Sequence, residues 1–309
     1  MIKISLTGAG SLDGGELIRL LAIHPDVELI SVSAPGLEGK AVTSVHHGLI
    51  GETSLNFSAR PDLERTDMLF VCDNNLGVDD FKLIREKYPE MKIILLEPIA
   101  GSDGEDLQIV YGLPEIYRKQ LVRGAQVARV PVSFASMALV ALFPFANNLM
   151  LTGDIDIDVT APKAIIDTVN IKQLEEEIAS VLSEVQTSFT GKVNLKATPS
   201  NSRRSALMRI SFAGSHNLEQ MLELYDIYDD HRFAFVTQQP VGVSEVAGTD
   251  KCVVTVFKPE EGKVVLGATA DCRMRGGAGE AVHIMNLMWG LHEKTGLALK
   301  AIDFESIDC

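Results

Sequence analysis

The stretch Ile2-Lys3-Ile4-Ser5-Leu6-Thr7-Gly8-Ala9-Gly10-Ser11-Leu12-Asp13-Gly14-Gly15 decides the fold class. Residues 2–7 form a short apolar run that predicts a buried strand, and a glycine-rich turn follows them. Residues 15–22 then carry apolar side chains at a helical period, until His24-Pro25 ends the helix. A glycine turn between a strand and a helix is the context in which a helix N-terminus binds a pyrophosphate.

The alternation of strands and helices continues to about residue 110. This order predicts βαβ units and a doubly wound parallel sheet. A second region begins near residue 126 with the β run 127–131. Its later strands alternate polar and apolar residues, which favours an antiparallel sheet with one wet face. The sequence therefore predicts an α/β domain of residues 1–128 plus 271–309, and an α+β domain of residues 129–270.

The composition excludes several classes of partner. Lys plus Arg number 28 and Asp plus Glu number 42, so the net charge of −14 has the wrong sign for binding nucleic acid. The four cysteines lie far apart without metal-ligand spacing, so we expect no metal site and no disulfide framework. The apolar stretches are too short for a signal or a membrane span, and we expect a cytoplasmic protein with no membrane partner.

Three segments together resemble N-acetyl-γ-glutamyl-phosphate reductase: residues 14–21 with His24-Pro25, residues 110–115, and residues 276–291. The resemblance implies a Rossmann-type NAD(P)-binding domain joined to a glyceraldehyde-3-phosphate-dehydrogenase-like α+β domain. It also implies NADPH as the hydride donor and an acyl-phosphate substrate from arginine biosynthesis. The candidate cofactor-binding residues are Gly8, Ser11, Gly14, Ser33, Gly277 and Gly279.

The glycine turn departs from the pattern of this family. Ser11 stands where the turn has its middle glycine, so its Cβ obstructs close approach of the backbone to a diphosphate. Asp13 adds negative charge beside the two phosphates. We therefore expect NADP binding to be weak or lost. The alternative is a Rossmann turn kept only because the fold requires it, whether or not a nucleotide binds.

The resemblance places two catalytic positions on residues that lack the expected chemistry. Ser133 stands where the family has its cysteine nucleophile, and Asn170, with Thr168 two residues before it, stands where the family has histidines. A serine hydroxyl is far less acidic than a thiol, and an asparagine cannot shuttle a proton. The alternative role for Ser133 or Ser136, which we favour, is to cap the apolar helix that follows.

Charged residues at other family positions point the same way. Glu97 lies where the resemblance implies an arginine-containing segment that shapes the acyl-phosphate site, and its carboxylate disfavours that substrate. Arg273 and Arg275 precede the glycine-rich start of the last helix, so they are a candidate site for a small anion. An equally good interpretation is that they are two solvated arginines at a strand end.

These residue assignments leave three alternative functions. The chain is an active reductase of an N-acylated glutamyl phosphate or related acyl phosphate, a catalytically silent paralogue, or an oxidoreductase that transfers hydride directly to another carbonyl. We favour the silent paralogue, because loss of the catalytic activity then explains in one step why the expected glycine, cysteine, histidine and arginine are all replaced. The last helix, residues 279–289, is apolar on most sides, as expected of a helix packed between domains or in an oligomer contact. We expect a homo-oligomer, a dimer or tetramer, and His283 in a core or interface.

Overall fold

The computed structural model describes residues 1–102, 106–260 and 262–303, which form two compact units. One unit comprises Met1–Pro131 and Gly277–Ala298, and the other comprises Val132–Gly276 and the described residues from 299 to 303. The divisions therefore fall at residues 131 and 276, whereas the sequence placed them at 128 and 270. The chain end also differs from the prediction, because the Ile302 amide donates to the Ala247 carbonyl (3.2 Å) within the second unit. Residues 304–309 lie outside the described part.

The first unit contains a six-stranded parallel sheet, as the doubly wound pattern predicts. Its order is β2 (Val27–Ser33), β1 (Ile2–Thr7), β3 (Met68–Val71), β4 (Lys92–Leu95), β6 (Val127–Arg129) and β5 (Val110–Tyr111). Every neighbouring pair runs parallel. The assignment of the 127–131 run to the second region was wrong, since β6 pairs with β4 in this sheet. The predicted Rossmann-type fold class is confirmed.

In the described part of this unit, the helices beside the sheet are α1 (Leu12–Leu21), α2 (Val78–Lys87), α3 (Pro114–Val122) and α8 (Ala278–Met288). Helix α8 is buried along its whole length, and it packs against α1, α3 and β4. Because α8 packs on several partners within the unit, its surface is apolar on more than one face. The connection from β2 to β3 contains short 3-10 turns instead of an α-helix.

The second unit contains a six-stranded mixed sheet. Its order is β10 (Ala234–Thr237), β11 (Cys252–Val256), β12 (Lys263–Asp271), β9 (Ser205–Ala213), β7 (Thr152–Pro162) and β8 (Val193–Ser200). The prediction of an antiparallel sheet was wrong for two pairs, because β7 runs parallel to β8 and β10 runs parallel to β11. Alternating burial along a strand indicates that one face of the sheet is exposed to solvent. It does not indicate whether neighbouring strands run parallel or antiparallel. A crossover helix joins β7 to β8, and such a connection allows parallel pairing.

The helices of this unit are α4 (Ser133–Asn147), α5 (Lys163–Ile166), α6 (Ile171–Val185) and α7 (Leu218–Glu223). Helix α4 is almost wholly buried, and it packs against α6 and the inner face of β12. Among the described residues of the whole chain, no helix is both long and apolar enough to cross a membrane. The cysteines in those ranges, Cys72, Cys252 and Cys272, are buried and form no disulfide.

Candidate functional site

The glycine turn after β1 has the close-packed backbone of a nucleotide-binding turn. Gly8 has a φ of 70°, which favours glycine, and a Cβ there would lie 2.8 Å from the Asp73 backbone nitrogen. A Cβ on Gly14 would lie 2.7 Å from the Ala9 Cα. Both glycines are therefore required by the path of the chain, so their presence alone does not report a bound ligand.

Ser11 has a structural role that the sequence analysis missed. It is the N-cap of α1, and its Oγ accepts a hydrogen bond from the Gly14 amide (3.0 Å). A serine at the boundary between a turn and an apolar helix was the available signal for this cap. The consequence for binding is that one of the free amides at this helix start is already bonded and cannot also bind a phosphate.

The other candidate cofactor residues lie in the same unit. Ser33, at the end of β2, is 1% exposed, and its Oγ donates to the Leu6 carbonyl (3.1 Å). The Ser33 hydroxyl is therefore directed to the neighbouring strand. Gly277 is the N-cap residue of α8, and Gly279 lies in the first turn of that helix, where both are buried.

Three carboxylates converge beside the glycine turn at the carboxyl edge of the parallel sheet. Asp13 lies in the first turn of α1, Asp73 follows β3, and Glu97 follows β4. Burial raises the pKa of the Cys72 thiol well above its ordinary value, and all three carboxylates add to that shift. Partial burial, then Asp13 and Asp73, raise the pKa of Glu97. The carboxylates are therefore close enough to repel one another.

This convergence was only partly predictable. The sequence identified Asp13 and Glu97 as separate unfavourable charges, but it missed Asp73 and the meeting of all three. The signal was present, since carboxyl ends of parallel strands share one edge of a sheet, and Asp73 and Glu97 each lie two residues after such an end. The electrostatic field at the turn is therefore negative, opposite to what two phosphates need.

In the second unit, Ser133 is the first residue of α4 and does not cap it. The N-cap is Val132, whose side chain makes no capping bond, so the favoured capping role was wrong for both Ser133 and Ser136. The Ser133 side chain is 5% exposed, and its hydroxyl shares a hydrogen bond with the Cys272 thiol. Burial dominates at that thiol and raises its pKa to about 12.

Ser136 lies one turn further along α4 and holds a buried arginine. The Arg275 Nε donates to the Ser136 Oγ (2.7 Å), and the Arg275 side chain is fully buried. The interpretation of two solvated arginines was therefore wrong for Arg275. Arg273 is partly exposed, and its amide donates to Oδ1 of the buried Asp271 (2.9 Å). The predicted pair thus occupies two different environments.

Asn170 has a capping role instead of a proton-transfer role. It is exposed, it precedes α6, and its Oδ1 accepts from the Gln173 amide (3.3 Å). The described contacts of its side chain are thus with its own helix. The structure brings together Ser133, Ser136, Cys272 and Arg275, and Cys272 is the member of this cluster that the sequence analysis did not connect with the nucleophile position.

Comparison with known proteins shows the family to which this chain belongs. The chain is 32% identical to N-acetyl-gamma-glutamyl-phosphate reductase of Parabacteroides distasonis, over 98% of this chain and all of the relative. The chain belongs to the N-acetyl-gamma-glutamyl-phosphate reductase family. The protein of the same name from Bacteroides thetaiotaomicron is 30% identical, with the same coverage of both chains.

Further matches agree with this family assignment. Residues 3–123, which lie in the first unit, match the model of the semialdehyde dehydrogenase NAD binding domain. The fold resembles aspartate semialdehyde dehydrogenase II of Vibrio cholerae complexed with ASA, with a TM-score of 0.70 at 15% identity over 94% of this chain and 98% of that chain. Aspartate semialdehyde dehydrogenase of Candida albicans with NADP also gives a TM-score of 0.70, at 14% identity and the same coverage.

Proposed function

We propose that this member of the N-acetyl-gamma-glutamyl-phosphate reductase family has kept the fold and lost the acyl-phosphate reduction, so that it is a catalytically impaired or silent paralogue. The observation that carries the proposal is the burial of Ser133, the residue at the nucleophile position, at the start of α4 beside the buried Cys272 thiol. At the nucleophile position implied by the resemblance, a buried hydroxyl is bonded to a buried thiol. Neither group is ionised at neutral pH.

The chemistry of the reaction explains why this pair is insufficient. A thiolate displaces phosphate from an acyl phosphate and forms a thioester, which hydride then reduces to an aldehyde. The Ser133 hydroxyl needs a base to remove its proton, and it would form an oxygen ester, which accepts hydride less readily. Attack by serine is therefore disfavoured at both steps.

Cys272 does not replace the missing nucleophile. Its side chain is 8% exposed, and a thiol whose pKa is about 12 is almost entirely protonated at pH 7. Asn170 likewise offers no proton transfer, because an amide does not titrate near neutral pH and this one caps α6. The nucleophile and the acid–base group are thus both absent from the positions implied by the resemblance.

The cofactor side supports the same proposal. The Gly8–Gly14 turn keeps the close-packed backbone of a nucleotide-binding turn, but Asp13, Asp73 and Glu97 oppose a diphosphate there and Ser11 already accepts from the Gly14 amide. We infer that NADP binds weakly or not at all. A protein of this kind would act by binding a small anion, for which the partly exposed Arg273 is a candidate, or by forming a homo-oligomer in the cytoplasm.

The decisive experiment is the reverse reaction. The purified chain is incubated with N-acetylglutamate semialdehyde, phosphate and NADP, and absorbance at the reduced-nicotinamide band is followed, with an active relative as the positive control. We expect no phosphate-dependent signal. Turnover within tenfold of the active relative would overturn the proposal, because it would require a nucleophile at this site.

A further inference from the structure

A groove of about 420 Å³ follows the edge of the mixed sheet in the second unit. One wall is Ala234–Thr237 of β10, continued by Gln238, and the other is the end of α7 with the 3-10 segment Leu224–Tyr228. Consecutive strand residues point to opposite faces of a sheet. Because the groove touches each of residues 234–238 in turn, it lies along the edge of β10 and not on one face.

The backbone of β10 presents hydrogen-bonding groups to this groove. β10 is the last strand of its sheet, and β11 is its one partner strand in the described part of the chain. The Cys252 amide of β11 donates to the Phe233 carbonyl (2.8 Å), so that carbonyl faces β11. Backbone groups alternate in direction along a strand, so the amides and carbonyls of Ala234 and Val236 face the other way, towards the groove.

The two edges of this sheet differ in their protection. The opposite edge strand, β8, contains Lys196 and Pro199, and it packs against α5 and α6. Charges, prolines and covering helices are the usual means of preventing a further strand from pairing at an edge. The sequence of β10, Ala-Phe-Val-Thr, has neither a charge nor a proline, and Phe235 is 39% exposed. The β10 edge is therefore able to accept another strand.

The wall opposite β10 is held in place by the core. The Tyr225 hydroxyl donates to the Ala141 carbonyl (2.6 Å), and the Tyr228 hydroxyl donates to the Val140 carbonyl (2.7 Å). Both acceptors lie in the buried helix α4. The 3-10 segment is thus fixed at two points, and the groove is formed before any ligand binds.

Two carboxylates, Asp226 and Asp229, line this wall and are exposed. The Asp229 amide donates to the Asp226 carbonyl (3.1 Å), which is the bond of a 3-10 turn. Residues three apart in such a turn lie on the same side, about 6 Å from each other along the axis. In the part of the chain that the structure describes, neither carboxylate forms an ion pair.

The other titratable groups around the groove leave its charge negative. His231 lines the groove, and none of its described lining residues is a lysine or an arginine. The Lys251 ammonium lies 5.9 Å from the centre of the Phe235 ring and is outside the lining. Asp230 and Arg232, which are exposed and also lie outside the lining, have opposite charges. The groove therefore favours a cationic ligand.

The spacing of the carboxylates fits an extended peptide. Alternate residues of a strand lie on one side of it and are about 6.6 Å apart. Two basic side chains at such positions match the separation of about 6 Å between Asp226 and Asp229. The backbone of the same peptide would bond to Ala234 and Val236, as in the addition of a strand to a sheet edge.

We propose that this groove binds an extended segment of a partner protein with basic residues at alternate positions, which adds as a strand to the edge of β10. A second copy of this chain fits less well, because β10 contains no basic residue and two acidic grooves would repel each other. The inference goes beyond the proposed function, and it does not depend on whether the reductase activity is lost.

Fluorescence anisotropy of the full chain tests the proposal, with a short labelled peptide, acetylated and amidated, in which arginine alternates with valine. We expect saturable binding. Asp226→Asn with Asp229→Asn should weaken it about fivefold or more, since two exposed ion pairs are lost. Glu223→Gln with Asp230→Asn is the matched control, because it changes the charge equally at exposed positions outside the lining. Thermal unfolding confirms that each variant is folded.

A second peptide separates strand addition from simple charge attraction. It has the same sequence but carries N-methyl groups on alternate backbone amides, so it keeps its charge and cannot pair along the strand. We expect it to bind about tenfold more weakly. Hydrogen exchange of single amides gives an independent readout. The unmethylated peptide should protect the Val236 amide, whereas the Phe235 amide, which faces β11, should change little.

Four results would overturn the proposal. They are no binding of the peptide at millimolar concentration, equal binding of the methylated peptide, equal loss of affinity in the two double variants, and protection of the Val236 amide by dimerisation of the chain without peptide. The last result would assign the edge to a second copy. Reductase turnover, measured on the same preparation, bears on the proposed function alone, because the groove contains none of the residues at the catalytic positions.

Discussion

Gly276 packs directly on Ser133, so that a Cβ on Gly276 would lie 2.2 Å from the Ser133 Cα. Gly276 also has a φ of 69°, in the region that favours glycine. The close approach fixes the end of the segment after β12 against the first turn of α4. The environment of Ser133 is thus set by a neighbouring backbone, and little room exists for its side chain to change partner.

The first prediction concerns this contact. Gly276→Ala should lower the free energy of unfolding by about 2 to 5 kcal/mol, because it adds a steric clash to the cost of a positive φ. Gly153→Ala is the matched control, since Gly153 has the same φ of 69° and open space where its Cβ would be. The control should lose only about 1 kcal/mol. Equal losses in urea unfolding of the two variants would contradict the contact.

The second prediction concerns the nucleophile position. Ser133→Cys alone should not restore phosphate-dependent reduction of NADP, because Asn170 still transfers no proton and the cofactor turn is still acidic. The new thiol should lie beside Cys272 and form a disulfide with it on mild oxidation. Thiol titration before and after oxidation measures this loss of two thiols, with Ser133→Ala as the control. Recovery of turnover by this single change would show that only the nucleophile had been lost.

The sequence predicted the Rossmann-type unit because strand, glycine turn and helix follow one another locally. It did not predict that β7 and β8 run parallel, since polar alternation is the same in both directions. The same limit applies to the site. Ser133 and Cys272 are 139 positions apart in the chain, and only the packing of β12 against α4 brings them together. Long-range pairs of this kind leave no local pattern.

The sequence predicted the position of charged groups better than it predicted which of them are buried. Asp13 and Glu97 could be recognised as unfavourable to phosphate because their positions follow directly from the strand and turn pattern. Arg275 could not be recognised as buried, because a strand end is usually wet and nothing in the local sequence reports the Ser136 Oγ that accepts from it. Burial of a charged side chain depends on which distant groups surround it.

The third prediction is a pH effect on stability from the C-terminal part of the first unit. Burial would raise the pKa of Glu293, but hydrogen bonds from His283 (2.8 Å) and Arg118 (2.6 Å) outweigh it and lower the pKa to about 2. The ionised carboxylate therefore stabilises the folded state above the unfolded pKa of about 4.5. This contribution is lost as the pH falls from about 5 to about 2.

Glu293→Gln should consequently destabilise the protein by about 1 to 3 kcal/mol at pH 7, and the difference from the native chain should shrink as the pH falls towards 2. Urea unfolding at several pH values measures it. Glu260→Gln is the control, because its pair with Arg209 (3.2 Å) is exposed on both sides and should contribute less than about 1 kcal/mol. A difference for Glu293→Gln that is constant between pH 7 and pH 3 would exclude the carboxylate as its source.

The fourth prediction tests the acidic edge beside the glycine turn. Asp13→Asn with Asp73→Asn should tighten NADP binding about tenfold to a hundredfold, because removing two charges near a diphosphate is worth about 1 to 3 kcal/mol. In the native chain, binding should also tighten as the pH falls from 7 to 5. The pKa of Glu97 is raised, so this carboxylate takes up a proton in a less acidic range than an ordinary glutamate and repels the ligand less.

Calorimetric titration with NADP measures both effects, and the pH series is repeated on Glu97→Gln, where the part due to Glu97 should disappear. Asp156→Asn with Asp158→Asn is the control, because it changes the net charge equally on exposed positions of β7 in the other unit. If the control pair tightened binding as much as the Asp13 and Asp73 pair, total charge and not the local field would govern the turn. A native dissociation constant already in the low micromolar range would mean that the carboxylates do not prevent dinucleotide binding, and direct hydride transfer would again be a possible activity.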